Sequence, residues 1–492
     1  MPHPNYIFMI LTVFIVIVSG LAAGSAVIHP GTGEEVVVRS LANADGLRWF
    51  LTSVTKNFIN FAPLGNVIVC MIGIGIADEA GLLGSALRHV MVGAPKTVAT
   101  AIIIFAGVMG NMAGSATFVI IPPLAAIIFK AMGRHPIAGV AAGFAGVAAG
   151  LNANLLITTT DITLSGITTN AAQIVAPDFA ENQAGNWYFM IASTVLLTVV
   201  GTVVLEKLVE PRLGRYDASS AADSEEDVKR EAELMHLTDG QRKGLKMALI
   251  TLIVYVVLLM ICVVPFNGIL RDPVSHTIVP SPFINGMVAI ITIGFAAVGI
   301  AYGIPAGTIK KSDDVIRMAT KSMNGFSGFI ILCFFAAQFC EVFAYTNLGM
   351  WLSVKGADAL AQAGFTGIPL IICFVILASL INFLIGSASA KWTLLAPIFV
   401  PMFMNPSIGF HPYYTQSAYR IADSVTNCVS PLEPFMPYII SLMQKYDKKA
   451  GLGTVVSVML PIAGAFWLSW VLLLVIWSIA KLPLGPGVGI MF

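Results

Sequence analysis

Apolar residues along this chain run in long blocks. They do not alternate with the 3.6- or 2-residue period of elements that keep one face wet. A helix of about 20 apolar residues crosses the roughly 30 Å hydrocarbon layer of a bilayer. By that measure the sequence predicts nine spans, over 5–27, 57–78, 137–165, 187–209, 246–265, 284–305, 325–350, 415–444 and 452–480. Two more apolar regions, 98–130 and 366–404, are broken internally by glycine, serine and asparagine. The first run, MPHPNYIFMILTVFIVIVSGLAAGSAV, lacks a basic leading segment and exceeds the apolar core of a signal peptide. It is expected to be a retained helix.

The two broken regions share a pattern. GNMAGSAT (110–117) aligns with NFLIGSAS (382–389), and a proline-broken apolar run follows each, VIIPPLAAIIF and LLAPIFVPMF. Next, AGFAGVAAGLNANLLITTTDITLSGIT (142–168) aligns with YRIADSVTNCVSPLEPFMPYI (419–439), placing Asn152 and Asn427 at similar depths. Five crossings separate the third span from the eighth, so the two copies are expected to lie upside down relative to one another. The broken regions then enter and leave on one face as re-entrant hairpins, which membranes tolerate only inside protein or beside a wet cavity. The predicted fold is an all-α polytopic membrane protein with nine transmembrane helices and two re-entrant hairpins. Its inverted repeats mark a secondary transporter. One half covers 1–205 with hairpin 98–130, and the other covers 247–492 with hairpin 366–404. A polar cytoplasmic link, 206–246, joins them.

Composition and charge narrow this further. Hydrophobic residues make up 57% of the chain and charged residues 11%, against about 25% charged in soluble domains. A formal net charge of +1 argues against nucleic-acid binding. The link holds eight Lys and Arg, and further basic residues cluster in 306–324 and 445–451. Placing these loops inside predicts a cytoplasmic N-terminus and a periplasmic C-terminus. The six cysteines lie in or beside apolar stretches without metal-ligand spacing and read as small buried residues. No GxxxxGK[ST] motif, His-Glu metal motif or paired magnesium-binding aspartates occur, so neither an ATP-driven pump nor an enzyme is expected.

Ionisable residues at membrane depth cost about 2.5–3.5 kcal/mol each and mark function by default. They are Asp161, Glu341, Lys391, Arg420, Asp423 and Glu433. Arg420 and Asp423, at i and i+3, share a helix face and are expected to pair. A guanidinium suits a substrate carboxylate; the plain alternative is a structural ion pair. Asp161 reads as a proton or sodium carrier. Lys391 is expected to snorkel to the surface, and Glu341 reads as a packing or interface residue without an assigned role. Trp392 suits either stacking on a planar ligand or packing within the hairpin. Asn111, Ser115, Asn382, Ser387 and Asn427 offer oxygens for a sodium ion; no other cofactor is expected.

At these residues the sequence resembles the AbgT family of p-aminobenzoyl-glutamate transporters. The resemblance rests on NANLLITTTDITLSGIT, on GSASAKWTLLAPIFVPMF and on YRIADSVTNCVSPLEPFMPYI, and it covers essentially the whole chain. It implies an ion-driven antiporter of the bacterial inner membrane, a homodimer with nine spans and two hairpins per subunit. It implies substrates of the p-aminobenzoyl-glutamate or sulfonamide type, with efflux the expected direction. The family's important positions fall on Asp161, Ser389, Trp392, Pro412, Arg420, Asp423 and Pro431. A sodium-coupled dicarboxylate or citrate carrier is the competing expectation, because such carriers also pair hairpins with hydroxyl-bearing tips.

Overall fold

A helix satisfies its own backbone N–H and C=O groups without water, and this chain uses little else. The computed structural model describes residues 4–30, 32–93, 95, 97–113, 116–216, 236–278, 281–324 and 327–492. The first half contains α1 (Pro4–Leu21), α2 (Ala44–Ile59), α3 (Ala62–Glu79), α4 (Leu82–Val92), α5 (Ala99–Gly110), α6 (Ala116–Ala131), α7 (Pro136–Phe144), α8 (Thr159–Ala172) and α9 (Trp187–Val204). The second half contains α10 (Asp239–Val263), α11 (Met287–Ala306), α12 (Ser312–Asn324), α13 (Ser327–Tyr345), α14 (Leu348–Gln362) and α15 (Gly367–Asn382). It continues with α16 (Ala388–Met404), α17 (Pro412–Val425), α18 (Met436–Tyr446) and α19 (Leu452–Ile479). A two-stranded antiparallel ribbon, Ala26–Ile28 against Glu35–Val37, follows α1.

Among the described residues, six helices are long and apolar enough to cross a membrane, or seven if α14 and α15, bent by 117°, form one span. Three of the nine expected spans are not continuous helices. The 5–27 run leaves the helix after Leu21 and enters the ribbon. The 137–165 run changes to a π-turn at Ala145–Ala149 and is irregular until Thr159. The 415–444 run breaks between Val425 and Met436, where Pro431 and Pro434 cannot donate a helical hydrogen bond. Helix continues to Leu213 and resumes at Asp239, and the middle of the link, 217–235, lies outside the described residues.

Element order repeats along the chain. An entry helix, two short apolar helices, a broken helix and a long helix occur in that order as α4–α9 and again as α14–α19. α7 and α17 even start alike. His135 and His411 are N-caps whose Nδ1 accepts from the backbone N–H of Ile137 (3.2 Å) and Tyr413 (3.3 Å). Pro136 and Pro412 occupy the first helical position, where a missing N–H costs nothing.

Two bodies of packing hold most of these parts, and a further apolar cluster joins α1 to α13. α3, α10 and α11 form a layer in which α3 and α11 touch backbone to backbone; a Cβ on Gly73 would lie 2.1 Å from the Thr292 carbonyl oxygen. The other body is one apolar core shared by α5–α9 and α15–α19. There α5 meets the π-turn closely; a Cβ on Gly107 would lie 2.8 Å from the Gly146 Cα. The broken helices therefore sit inside protein, which meets the condition for irregular backbone at membrane depth.

Candidate functional site

α17 reads PYYTQSAYRIADSV, and every residue in it is buried. A polar helix enclosed on all sides must find a partner for nearly every polar side chain, and α17 finds them on both repeats. The Tyr413 hydroxyl sits 2.7 Å from Ser165 Oγ and accepts from the Asn182 backbone N–H at 2.8 Å. Gln416 Oε1 accepts from Thr168 at 3.0 Å, and Ser417 donates to Asn186 Oδ1 at 3.0 Å. Asn152, in the irregular stretch after α7, donates through Nδ2 to Ser424 Oγ and to Asp423 Oδ2, both at 2.8 Å.

Four charged side chains meet at the centre. Arg420 Nη2 lies 2.6 Å from Asp161 Oδ1, and Lys391 Nζ lies 2.7 Å from Asp423 Oδ1. Lys391 is 0% exposed and Asp423 1%. This corrects two expectations. Arg420 and Asp423 share a helix face but bind different partners, one on α8 and one on α16. Each is nearer an opposite charge on a crossing helix than it is to its neighbour along α17. Lys391 does not snorkel, because α16 is packed on every side at that position and a buried carboxylate stands within reach.

Asp161 is fixed by its own helix. Its Oδ2 accepts from the Thr158 backbone N–H (2.7 Å) and hydroxyl (2.6 Å), a capping box at the start of α8. A carboxylate in that first turn is also favoured by the helix dipole. Its other oxygen is left for Arg420. The guanidinium keeps a donor in reserve: Arg420 Nε is buried without a hydrogen-bond partner.

The remaining expected residues spread around this centre. Trp392 is 0% exposed, stacks on Tyr419 with centroids 4.5 Å apart, and donates from Nε1 to Thr168 Oγ1 at 2.9 Å. In this conformation it packs within the protein. Ser387 caps α16 by accepting from the Ala390 N–H, and its hydroxyl lies 3.4 Å from that of Ser389. Asn382 donates to the Asp423 carbonyl (3.0 Å) and Asn427 Oδ1 (2.8 Å), while its own Oδ1 accepts from Lys391 Nζ. Asn111 reaches the carbonyls of Val108 (3.0 Å) and Gly150 (3.4 Å). Ser115 lies outside the described residues. Pro412 opens α17, about 12 Å along the helix from Arg420 at 1.5 Å per residue. Pro431 is exposed in the loop after α17.

Sequence reasoning undervalued Lys391 and missed Tyr419, Thr168 and Glu181. Of the four His-Pro pairs, His135-Pro136 and His411-Pro412, 276 positions apart, were a signal for the repeat. Glu181, in the loop between α8 and α9, accepts from Asn66 Nδ2 at 2.8 Å, and burial pushes its carboxyl up to about 7. Nothing in the local sequence around Glu181 distinguishes it from a solvated loop acid.

The AbgT transporter family model matches the chain over residues 1–492. The p-aminobenzoyl-glutamate transport protein of Escherichia coli (strain K12) is 40% identical over 489 residues, covering 99% of this chain and 94% of that protein. The solved structure of the Alcanivorax borkumensis YdaH transporter superposes with a TM-score of 0.92 at 36% identity, covering 99% of this chain and 100% of that one. The Neisseria gonorrhoeae MtrF structure, said to illuminate a class of antimetabolite efflux pumps, superposes with a TM-score of 0.93 at 40% identity, covering 99% of this chain and 97% of that one.

Proposed function

The chain belongs to the AbgT transporter family, and on that premise we propose that it is an ion-gradient-driven secondary transporter. Its substrates are compounds of the p-aminobenzoyl-glutamate type and sulfonamide antimetabolites, with efflux the working direction. The observation that carries this reading is the buried set of two carboxylates and two cations where both repeats meet. Asp161 and Asp423 face Arg420 and Lys391 there, beside two helices broken at Ala145–Ala149 and Asn427–Val429.

Arg420 holds the substrate's carboxylate through its spare Nε and a guanidinium edge, since a guanidinium binds a carboxylate by two parallel hydrogen bonds. Asp161 releases that edge or shares it. Trp392 offers a ring to the substrate's aminophenyl group once the second hairpin moves and its stack on Tyr419 opens. Ser389 and Pro431 flank the hairpin tip, and Pro412 fixes the start of the helix that carries Arg420. The coupling ion is a proton or sodium, and Asn111, Ser115, Asn382, Ser387 and Asn427 supply oxygens at the two tips. The frame is nine spans with two re-entrant hairpins in inverted halves, 1–205 and 247–492, in a homodimer of the inner membrane. The N-terminus and the link 206–246 face the cytoplasm and the C-terminus faces the periplasm.

The test is flux in liposomes with labelled p-aminobenzoyl-glutamate and a sulfonamide, under proton and sodium gradients imposed separately. Flux is expected to follow one gradient and to stop when it is dissipated. Arg420→Ala and Asp423→Ala are expected to lose it at least about 100-fold, the scale of one lost charged contact, while remaining folded in the membrane. Normal flux in either variant, or competition by citrate or succinate without sulfonamide movement, refutes the reading.

A further inference from the structure

The two repeats differ in charge where the second hairpin meets α17. In the register that aligns 110–117 with 382–389, position 391 falls opposite Val119; in the register of His135-Pro136 with His411-Pro412, Asp423 falls opposite Val147. The first repeat thus has two valines where the second has a lysine and an aspartate in contact, at 0% and 1% exposure. A buried ion pair is seldom more stable than apolar side chains of similar size, so packing alone does not account for the presence of this pair.

The surroundings of Lys391 Nζ indicate what the pair does. Asp423 Oδ1 lies 2.7 Å away, the side-chain oxygen of Asn382 accepts from it, and the Tyr419 ring centroid is 5.8 Å away. Asn382 is tied in turn to the Asp423 carbonyl, Asn427 and Thr426. A carboxylate and an amide oxygen at a broken-helix tip are hard, oxygen-only ligands of the kind a small monovalent cation takes. Here a covalently tethered ammonium fills that place. The other charged and titratable groups near it are Arg420 on α17, Asp161 on α8, and Cys428 and Glu433 in the loop after α17. α19 and the π-turn Ala145–Ala149, both packed on α17, contribute none.

We propose that the Lys391 ammonium is a resident cation. It stands permanently where an exchangeable monovalent ion would bind at the second hairpin, so that the second repeat carries no exchangeable cation of its own. The transport consequence rests on the reading of this centre as the transport site. The binding consequence does not. Lysine here acts through Asp423 and Asn382, as a positioning residue.

Removing the tether should open a cation site. Full-length Lys391→Ala is expressed, extracted in detergent and unfolded thermally in choline chloride, with sodium chloride or ethylammonium chloride added. The unfolding midpoint is expected to rise by at least about 3 °C with either added cation, because a ligand bound only by the folded state stabilises it. The wild type and Lys391→Arg should not respond, and neither should Lys391→Ala combined with Asp423→Asn. If Lys391→Ala folds only when extracted with sodium or ethylammonium, that rescue is the same result. A variant that stays unresponsive, or unfolded in both salts, overturns the proposal. In liposomes the variant should regain flux at least about tenfold with ethylammonium present. Normal flux in Asp423→Asn would refute the transport reading, while the thermal response would still decide this one.

Discussion

At the scale of single residues, the centre is a problem of charge accounting. Two carboxylates and two cations, each at least nine-tenths buried, cancel only in the pairing Arg420–Asp161 and Lys391–Asp423. Removing one member leaves its partner charged and desolvated, at a cost of about 3–5 kcal/mol, whereas removing both is close to neutral. A double-mutant cycle with Asp161→Leu and Arg420→Met, followed by thermal unfolding in detergent, is therefore expected to show strong coupling. Each single change should destabilise by about 3 kcal/mol and the pair by much less than the sum. Additive losses would mean that the two side chains do not compensate one another. Asp161, Arg420 and Asp423 were legible in the sequence because a charge inside an apolar run stands out. Their pairing was not legible. Separation by i and i+3 put Arg420 and Asp423 on one face, but only the crossing of α17 over α8 and α16 brings nearer partners to each. Lys391 was misjudged for the same reason: whether a lysine stem reaches water depends on what packs around it, and α16 is enclosed.

At the scale of elements, α7 and α17 are helices that begin on an imidazole. Nδ1 of His135 and of His411 must carry a free lone pair to accept the N–H two residues on. Burial lowers both, His411 to about 4, chiefly by desolvation. The folded protein thus binds fewer protons at His411 than the unfolded chain between about 4 and the ordinary value near 6.5. Its stabilising effect is complete above pH 6.5 and is lost as pH falls toward 4. Unfolding midpoints followed over that window should drop, by on the order of 2–3 kcal/mol for His411. His411→Asn, which caps without titrating, should flatten that part of the profile, and His411→Ala should lower stability by about 1 kcal/mol at neutral pH. An unchanged slope in His411→Asn would assign the acid sensitivity elsewhere. Six of the nine expected spans were legible because their apolar runs hold no competing signal. Of the other three, two leave the helix where polar and proline residues stand inside the run, such as Asn152 and Pro431, and α1 ends at Leu21, just after Ser19 and Gly20.

At the scale of the whole molecule, the repeated order α4–α9 and α14–α19 becomes a mechanism only if the two units point in opposite directions. The repeat itself was readable from GSAT against GSAS and from the trailing prolines, whereas the sense of each unit depends on how many intervening segments cross. Three of those counted are broken or short, so parity is the quantity to measure. Tip residues Asn111 and Ser387 are half-buried and sit at the ends of α5 and before α16. Each can be replaced by cysteine in a chain whose six native cysteines are changed to serine or alanine. A membrane-impermeant thiol reagent applied from one face at a time is expected to reach position 111 and position 387 from opposite faces. Substrate and an imposed gradient should shift the two reactivities in opposite senses, because opening one tip closes the other. Opposed labelling follows from antiparallel units alone, and the reciprocal shift follows from exchange of their conformations. If both positions label from one face in every condition, the units are parallel and alternating access by repeat exchange fails. If labelling is opposed but substrate changes neither, the inverted frame stands and the moving part lies outside the hairpin tips.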